Sequence, residues 1–305
     1  MIYQADQKEN PSIVYNASKL PRLRDWPPGK FCMKKLLFIC GCPRSGTTEL
    51  TRLVNQHQDV YVGCERYLYK YENGEISPND FTPERFSSFR SEDSFYESLD
   101  QMEGWLDNIC SSPGSSKINH AAIVGDKAPL LIYEIPKLLP ALPSQTQWLV
   151  AIRDLISVIR SWKERSDNPA DTLWNRELPI NNAIISWTSS ICSVIEHQAN
   201  GIDLTDVYTP HLYRDDRLEL GRILAALQID PDNGMSKYID GSIQWAAENP
   251  CARHSTPKIP TDDERALILN HPYVHTTVNA VASSRFRVDL DILFWVGFKE
   301  EYSSV

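Results

Sequence analysis

Residues 34–50 read KKLLFICGCPRSGTTEL, and their chemistry lies in the spacing. An apolar run ends at Gly41, four residues follow, then Gly46, and Thr47 and Thr48 open the next periodic segment. A strand that breaks at a glycine turn and restarts as a helix aims backbone N–H groups and the positive helix end at one point, where an anion is held. The nucleoside-triphosphate loop places a lysine directly after its second glycine. Here Thr47 takes that place, and the cation is Arg44, inside the loop. Arginine supplies a planar, permanently charged fork of donors. Thr47 and Thr48 add hydroxyls and N-capping chemistry. A plain strand-to-helix turn without a ligand would use the same glycines.

A second constellation follows in AIRDLISVIRSW, with Arg153 where a strand should end and Ser161 eight positions later on the ensuing helix. Two helical turns separate them, so both are able to face one anion. Ser157 and Arg160 share that helix and would serve instead, and Arg153 would otherwise pair with Asp154 or Glu164. An ATP-binding reading needs a magnesium-holding aspartate at a strand end. Asp126 in IVGDK is the nearest, with Lys127 as an awkward neighbour for a metal ligand. A 5′-phosphate carrying no metal suits the loop better.

PRSGTTEL followed by this Arg and Ser resembles the PAPS-dependent sulfotransferase family, over about residues 35–165 and the helix carrying Trp187. PAPS is 3′-phosphoadenosine 5′-phosphosulfate, and the product PAP keeps both phosphates. The resemblance implies a phosphate-loop α/β core: a parallel sheet flanked by helices. It also implies that Arg44, Ser45, Gly46, Thr47 and Thr48 hold the 5′-phosphosulfate, that Arg153 and Ser161 hold the 3′-phosphate, and that no metal is required. The catalytic base is a glutamate after the second strand in the carbohydrate and tyrosylprotein types, similar to Glu65 in VYVGCERYLY. It is a histidine in the cytosolic steroid and phenol types, for which His120 and His57 are the nearest candidates. Glu65 would otherwise be a surface carboxylate paired to Arg66. Lys127 in VGDKAP is similar to the lysine that, with Arg44, steadies the leaving oxygen; otherwise it is a solvated strand-end lysine. Arg66, Arg160, Arg253 and Lys258 are spare cations, the last two in ARHSTPKIP, where a basic loop would close over the 3′-phosphate. Trp162 and Trp187 would stack on adenine or fill the core. Two other readings stay open: a kinase or nucleoside triphosphatase with an atypical loop, and a non-catalytic PAP-binding protein.

Strands alternating with helices must position these residues. KLLFICG, DVYVG, HAAIVGDK and QWLVAIR read as strands, and DVYTPHLY as a further one. TTELTRLVNQH, LLIYEIPKLLPAL, DLISVIRSWKERS, INNAIISWTSSICSVIEHQ and DRLELGRILAALQI read as helices. That order predicts a parallel sheet covered on both faces. Residues 1–33 form an N-terminal extension to a single domain over 34–305, which turns irregular from about 230 to the apolar VDLDILFWVGF. Within it, 72–118 is an insertion. Its stretch from Glu72 to Ser116 holds ten acids against Arg85 and Arg90, accounting for most of the formal net charge of −9. Phe81, Phe86, Phe89, Phe95, Tyr96 and Trp105 recur there, predicting amphipathic helices laid over the acceptor side as a lid.

Hydrophobic residues at 42%, with 8 Trp and 13 Tyr, suffice for a sizeable core. No run of about 18 apolar residues would span a membrane. Near-neutral charge outside the acidic insertion disfavours a nucleic-acid surface. The seven cysteines lack paired metal-ligand spacing and read as small core residues in a reducing, cytoplasmic compartment. The acceptor would be a small molecule, carbohydrate or lipid hydroxyl, or an amine, and a peptide tyrosine less so.

Overall fold

The computed structural model describes residues 34–105, 114–169, 177, 179–213, 217–230, 233–248 and 261–284. Five strands, β1 (Lys35–Gly41), β2 (Val60–Cys64), β3 (Ile123–Lys127), β4 (Gln147–Ile152) and β5 (Thr205–Tyr208), form one parallel sheet in the order β2-β3-β1-β4-β5. The chain passes from β1 over β3 to β2, returns to β3, and then crosses β1 to β4 and on to β5, so the winding reverses beside β1. Open α/β sheets bind ligands at such a reversal, outside the carboxyl ends of the strands. Pairing register aligns those ends: Lys127 lies beside Ile39 and Cys64, Gly41 beside Ala151, and Ile152 beside Tyr208.

Period-two alternation divides the strand residues between two cores. Leu36, Phe38 and Cys40 face one side and Leu37 and Ile39 the other, all nearly solvent-free. On the second side, α1 (Thr47–Asn55) contributes Leu50, Leu53 and Val54. Further elements are α2 (Leu68–Asn73), α3 (Pro83–Ser87), α4 (Leu99–Trp105), α5 (Gly114–His120), α6 (Leu131–Leu138), α7 (Leu155–Ser166), α8 (Pro179–Ala199) and α9 (Leu218–Leu227). Helices α6, α7 and α8 cover the first side, and α9 joins α1 on the second.

Three elements differ from the sequence expectations. His120 ends α5, and β3 begins only at Ile123. The last strand stops at Tyr208 and tightens into a 3-10 turn over Thr209–Tyr213, where Pro210 has no N–H to extend a ladder. The region from 230, expected to be irregular, contains α10 (Asn233–Glu248), α11 (Asp262–Leu269) and α12 (Pro272–Ser283). Met235 and Ile239, one turn apart, join the second core, and a Thr261–Glu264 capping box starts α11. The amino-terminal 33 residues, the Arg253–Lys258 loop and VDLDILFWVGF lie outside the described residues.

Among its described residues, the acidic stretch forms short helices and turns that bury Phe81, Phe86, Tyr96 and Met102 in the first core. Phe95 and Trp105 remain about half exposed, at 47% and 51%. Several of its acids are spent internally: Asp80 pairs with Lys70, Asp93 with Arg66 and Arg85, and Glu103 accepts from Tyr61. Among the described residues no helix is long and apolar enough to cross a membrane. Cys40, Cys42 and Cys64 are free, buried thiols.

Candidate active site

The loop after β1 turns on two glycines. Gly41 stands at φ 136, and a Cβ there would sit 2.4 Å from the Ala151 carbonyl on β4. Gly46, at φ 94, is the N-cap of α1 and supplies no side chain to its amino end. The threonines therefore do not cap the helix as expected. Thr47 is its first residue and is buried, while Thr48 is half buried. The amino end of α1 therefore has no side-chain cap, and the first-turn N–H groups of such a helix end suit a phosphate. Ser45 is buried and its hydroxyl donates to the Cys42 carbonyl at 2.6 Å, closing the loop on itself.

Arg44, at φ 74, and Glu65, at φ 58, are two of the four non-glycine residues with positive φ among those described. Such backbone costs roughly 1–2 kcal/mol against the right-handed alternative, and it tends to collect at functional sites.

Residues far apart in the chain meet at this edge. Arg44 Nε donates to Ser161 Oγ at 2.9 Å, and Arg153 Nη1 donates to the Arg44 carbonyl at 3.3 Å. The loop and the later Arg/Ser pair thus form one cluster. Arg44 belongs to the loop by its backbone and to the α7 side by its side chain. Asp154 caps α7 by accepting from the Ser157 N–H at 2.8 Å, which sets the helix behind Arg153. Arg160 pairs instead with Glu264 of α11 at 3.3 Å, so it is not a spare cation.

Both tryptophans brace the cluster from within the packing. Trp187, 1% exposed, donates from Nε1 to the Arg153 carbonyl at 2.8 Å, and Trp162 donates to the Pro43 carbonyl at 3.3 Å. Thr209, after β5, donates to the Ser45 carbonyl at 2.7 Å and packs against Gly46. Nothing in the sequence singled out Thr209; its contact with Ser45 spans 164 positions.

The second half of the site lies at the ends of β2 and β3. Lys127 Nζ donates to Glu65 Oε1 at 3.0 Å, and the Glu65 N–H donates to the Lys127 carbonyl at 2.6 Å. The Lys127 side chain is only 3% exposed and that of Glu65 25%. Lys127 is therefore no solvated strand-end lysine. Burial disfavours its ammonium, but Cys64 and Glu65 beside it outweigh burial and hold its pKa above the ordinary value. Burial also raises the Cys64 thiol.

Arg66 does not pair with Glu65. Its guanidinium is wholly buried and bonded to Asp93 at 2.9 Å, so it too is no spare cation. Asp126 is equally buried, with Oδ2 accepting from the Tyr71 hydroxyl at 2.9 Å and the Tyr67 N–H at 3.2 Å. That geometry makes it a strut under β2 and β3. His57 is buried before β2, accepting the Asp59 N–H at Nδ1 and meeting the Asp230 carbonyl at Nε2. Five strand residues, roughly 16 Å, separate that end from Glu65. His120 likewise precedes β3, at the far edge of the sheet.

The sequence model of the sulfotransferase family matches residues 37–233, more than half of the chain. No curated protein matches it. Among solved structures, the sulfotransferase domain from the Synechococcus PCC 7002 olefin synthase is similar at 16% identity, covering 88% of this chain and 94% of its own, with a TM-score of 0.43. Sulfotransferase STF9 from Mycobacterium avium is similar at 13% identity, covering 85% and 78%, with a TM-score of 0.47. With the parallel sheet, the phosphate loop and the match across them, the chain belongs to the sulfotransferase family.

Proposed function

We propose that this enzyme moves the sulfonate group of PAPS to a hydroxyl or amine acceptor and releases PAP. The observation that supports the reading is the contact of Arg44 in the loop after β1 with Ser161 and Arg153, which brings the two motifs side by side. PAPS has two phosphate ends and needs two such places. The open amino end of α1 suits the 5′-phosphosulfate, held by Arg44, Ser45, Gly46, Thr47 and Thr48, and Arg153 with Ser161 suits the 3′-phosphate.

Glu65 is the base. An acceptor hydroxyl is a weak nucleophile at neutral pH, and a carboxylate that takes its proton as the new O–S bond forms raises the rate. The bond from sulfur to the phosphate oxygen breaks at the same centre, and negative charge grows on that phosphate. Lys127 and Arg44 offset the charge, together with the N–H groups of the loop. Lys127 is suited to this because it is buried and lies on the strand adjoining β1, two residues short of Gly41 in register. Its ion pair with Glu65 keeps the base oriented before the acceptor arrives.

The acceptor enters beside Glu65, where the acidic stretch crosses the sheet edge as a lid. Its exposed carboxylates disfavour polyanionic chains, leaving a neutral or cationic small molecule, carbohydrate or lipid alcohol, ahead of a peptide tyrosine.

Melting temperatures with PAP, with ADP and with ATP plus magnesium test the nucleotide reading. At 100 times its dissociation constant a ligand stabilises by about 2.7 kcal/mol, or several degrees. PAP should stabilise best, and Arg153→Ala should remove the shift. A larger shift with ATP and magnesium would overturn the reading in favour of a kinase.

A further inference from the structure

A buried ionic cluster lies behind Glu65 and has no part in the chemistry proposed for the loop, Glu65 and Lys127. Two consecutive residues after β2 are bonded to two consecutive residues of the acidic stretch. Arg66 donates to Asp93 at 2.9 Å, and Ser94 Oγ donates to the Glu65 carbonyl at 2.6 Å. Both charged side chains of the first contact are fully shielded from solvent.

Around them no polar group of the arginine is wasted. Arg66 Nε donates to the Phe86 carbonyl at 2.8 Å and Nη2 to the Ser88 carbonyl at 2.9 Å, and the guanidinium lies 3.7 Å from the Phe89 ring centroid. Asp93 also accepts from Arg85 and from the Arg90 N–H at 3.2 Å, and its own carbonyl accepts from the Tyr69 N–H at 3.1 Å. Removing either partner would strand a buried charge, so the contact resists opening. Two positions beyond Ser94, Tyr96 buries its hydroxyl beside Cys64 and Glu65.

Glu65 needs such support because its backbone is left-handed. A residue in that conformation reverts unless the peptide groups on both sides are held. Lys127 holds the N–H of Glu65, Ser94 holds its carbonyl, and Asp93 locks the next residue.

We infer that Arg66, Asp93 and Ser94 form a clasp that sets the direction of the Glu65 carboxylate. They are positioning residues for sulfonate transfer that act through Glu65. The inference rests on Glu65 being the base, and it gives the acidic stretch a second task besides covering the sheet edge.

The test uses the full chain with PAPS, water serving as acceptor, and PAP release measured by chromatography. A misplacement of about 1 Å at a catalytic group costs on the order of 100-fold in rate. Ser94→Ala should lower kcat by about tenfold and Asp93→Asn by about 100-fold. KM for PAPS and the melting shift produced by PAP should stay as in the wild type. If Asp93→Asn fails to fold, Ser94→Ala alone decides, since it removes one hydroxyl. Wild-type kcat in Ser94→Ala, or a loss that appears in KM and PAP binding instead, overturns the clasp. Glu65→Gln in the same assay separates the two ideas. If it leaves PAP release unchanged, the base assignment falls and the clasp with it. If it suppresses release while Ser94→Ala does not, only the clasp falls.

Discussion

The two halves of the site are built on opposite principles. At the loop, polar groups gather around an uncapped helix end: Arg44 donates to the Ser161 hydroxyl, and Arg153 to the Arg44 carbonyl. At the ends of β2 and β3, charges are already matched within the protein: Lys127 with Glu65, and Arg66 with Asp93. On the proposed reading this first half receives the phosphates of the nucleotide and the second half holds the base. A base must be oriented before its substrate arrives, because reorganising it later adds to the barrier. Affinity and rate should therefore be separable by mutation.

The largest effect is expected at the base. Glu65→Gln should cut sulfonate transfer by about two to four orders of magnitude while PAP still raises the melting temperature. Unchanged turnover would break the comparison and leave a protein that binds PAP without using it. Lys127→Ala should lower kcat by about 100- to 1,000-fold. It also leaves Glu65 without its partner, so a parallel loss of thermal stability is expected and is measured in the same melts.

Asp126 sharpens the picture of the closed half. Burial pushes its carboxyl up to about 6, from an ordinary 3.8. Between those values the folded chain binds more protons than the unfolded one, so this group makes stability fall as pH rises from about 4 to 6. The loss, of order 2–3 kcal/mol, is complete above that window. Asp126→Asn keeps an acceptor for Tyr67 and Tyr71 but cannot ionise. Urea titrations should show the variant gaining on the wild type by about 2 kcal/mol between pH 4 and 7. A constant difference across that range would assign the slope elsewhere.

The smallest effect belongs to the open half. Ser161→Ala removes one hydroxyl from a cluster that keeps both arginines. It should weaken PAP binding by about five- to tenfold, the worth of one hydrogen bond, with kcat unchanged at saturating PAPS. Isothermal titration with PAP measures it. A drop in kcat instead would mean that the two halves are coupled through Arg44.

Local pattern carried much of this protein. Alternating apolar strands and amphipathic helices determined the parallel α/β sheet, because burial on both faces leaves a sheet no other composition. The loop was legible for the same reason: Gly41 and Gly46 sit where only glycine suits the backbone. The helices beyond residue 230 were not, since their apolar faces are short and depend on α1 and α8 for burial. Partners were least legible of all. Arg66 stands next to Glu65 in the sequence and turns away to Asp93, while Lys127, 62 positions distant, takes the carboxylate. Glu65 follows the end of β2 in a left-handed conformation, so adjacency in the chain does not bring its side chain to that of Arg66. Which charges meet was decided by strand order and register, and those are set by the packing of the whole sheet.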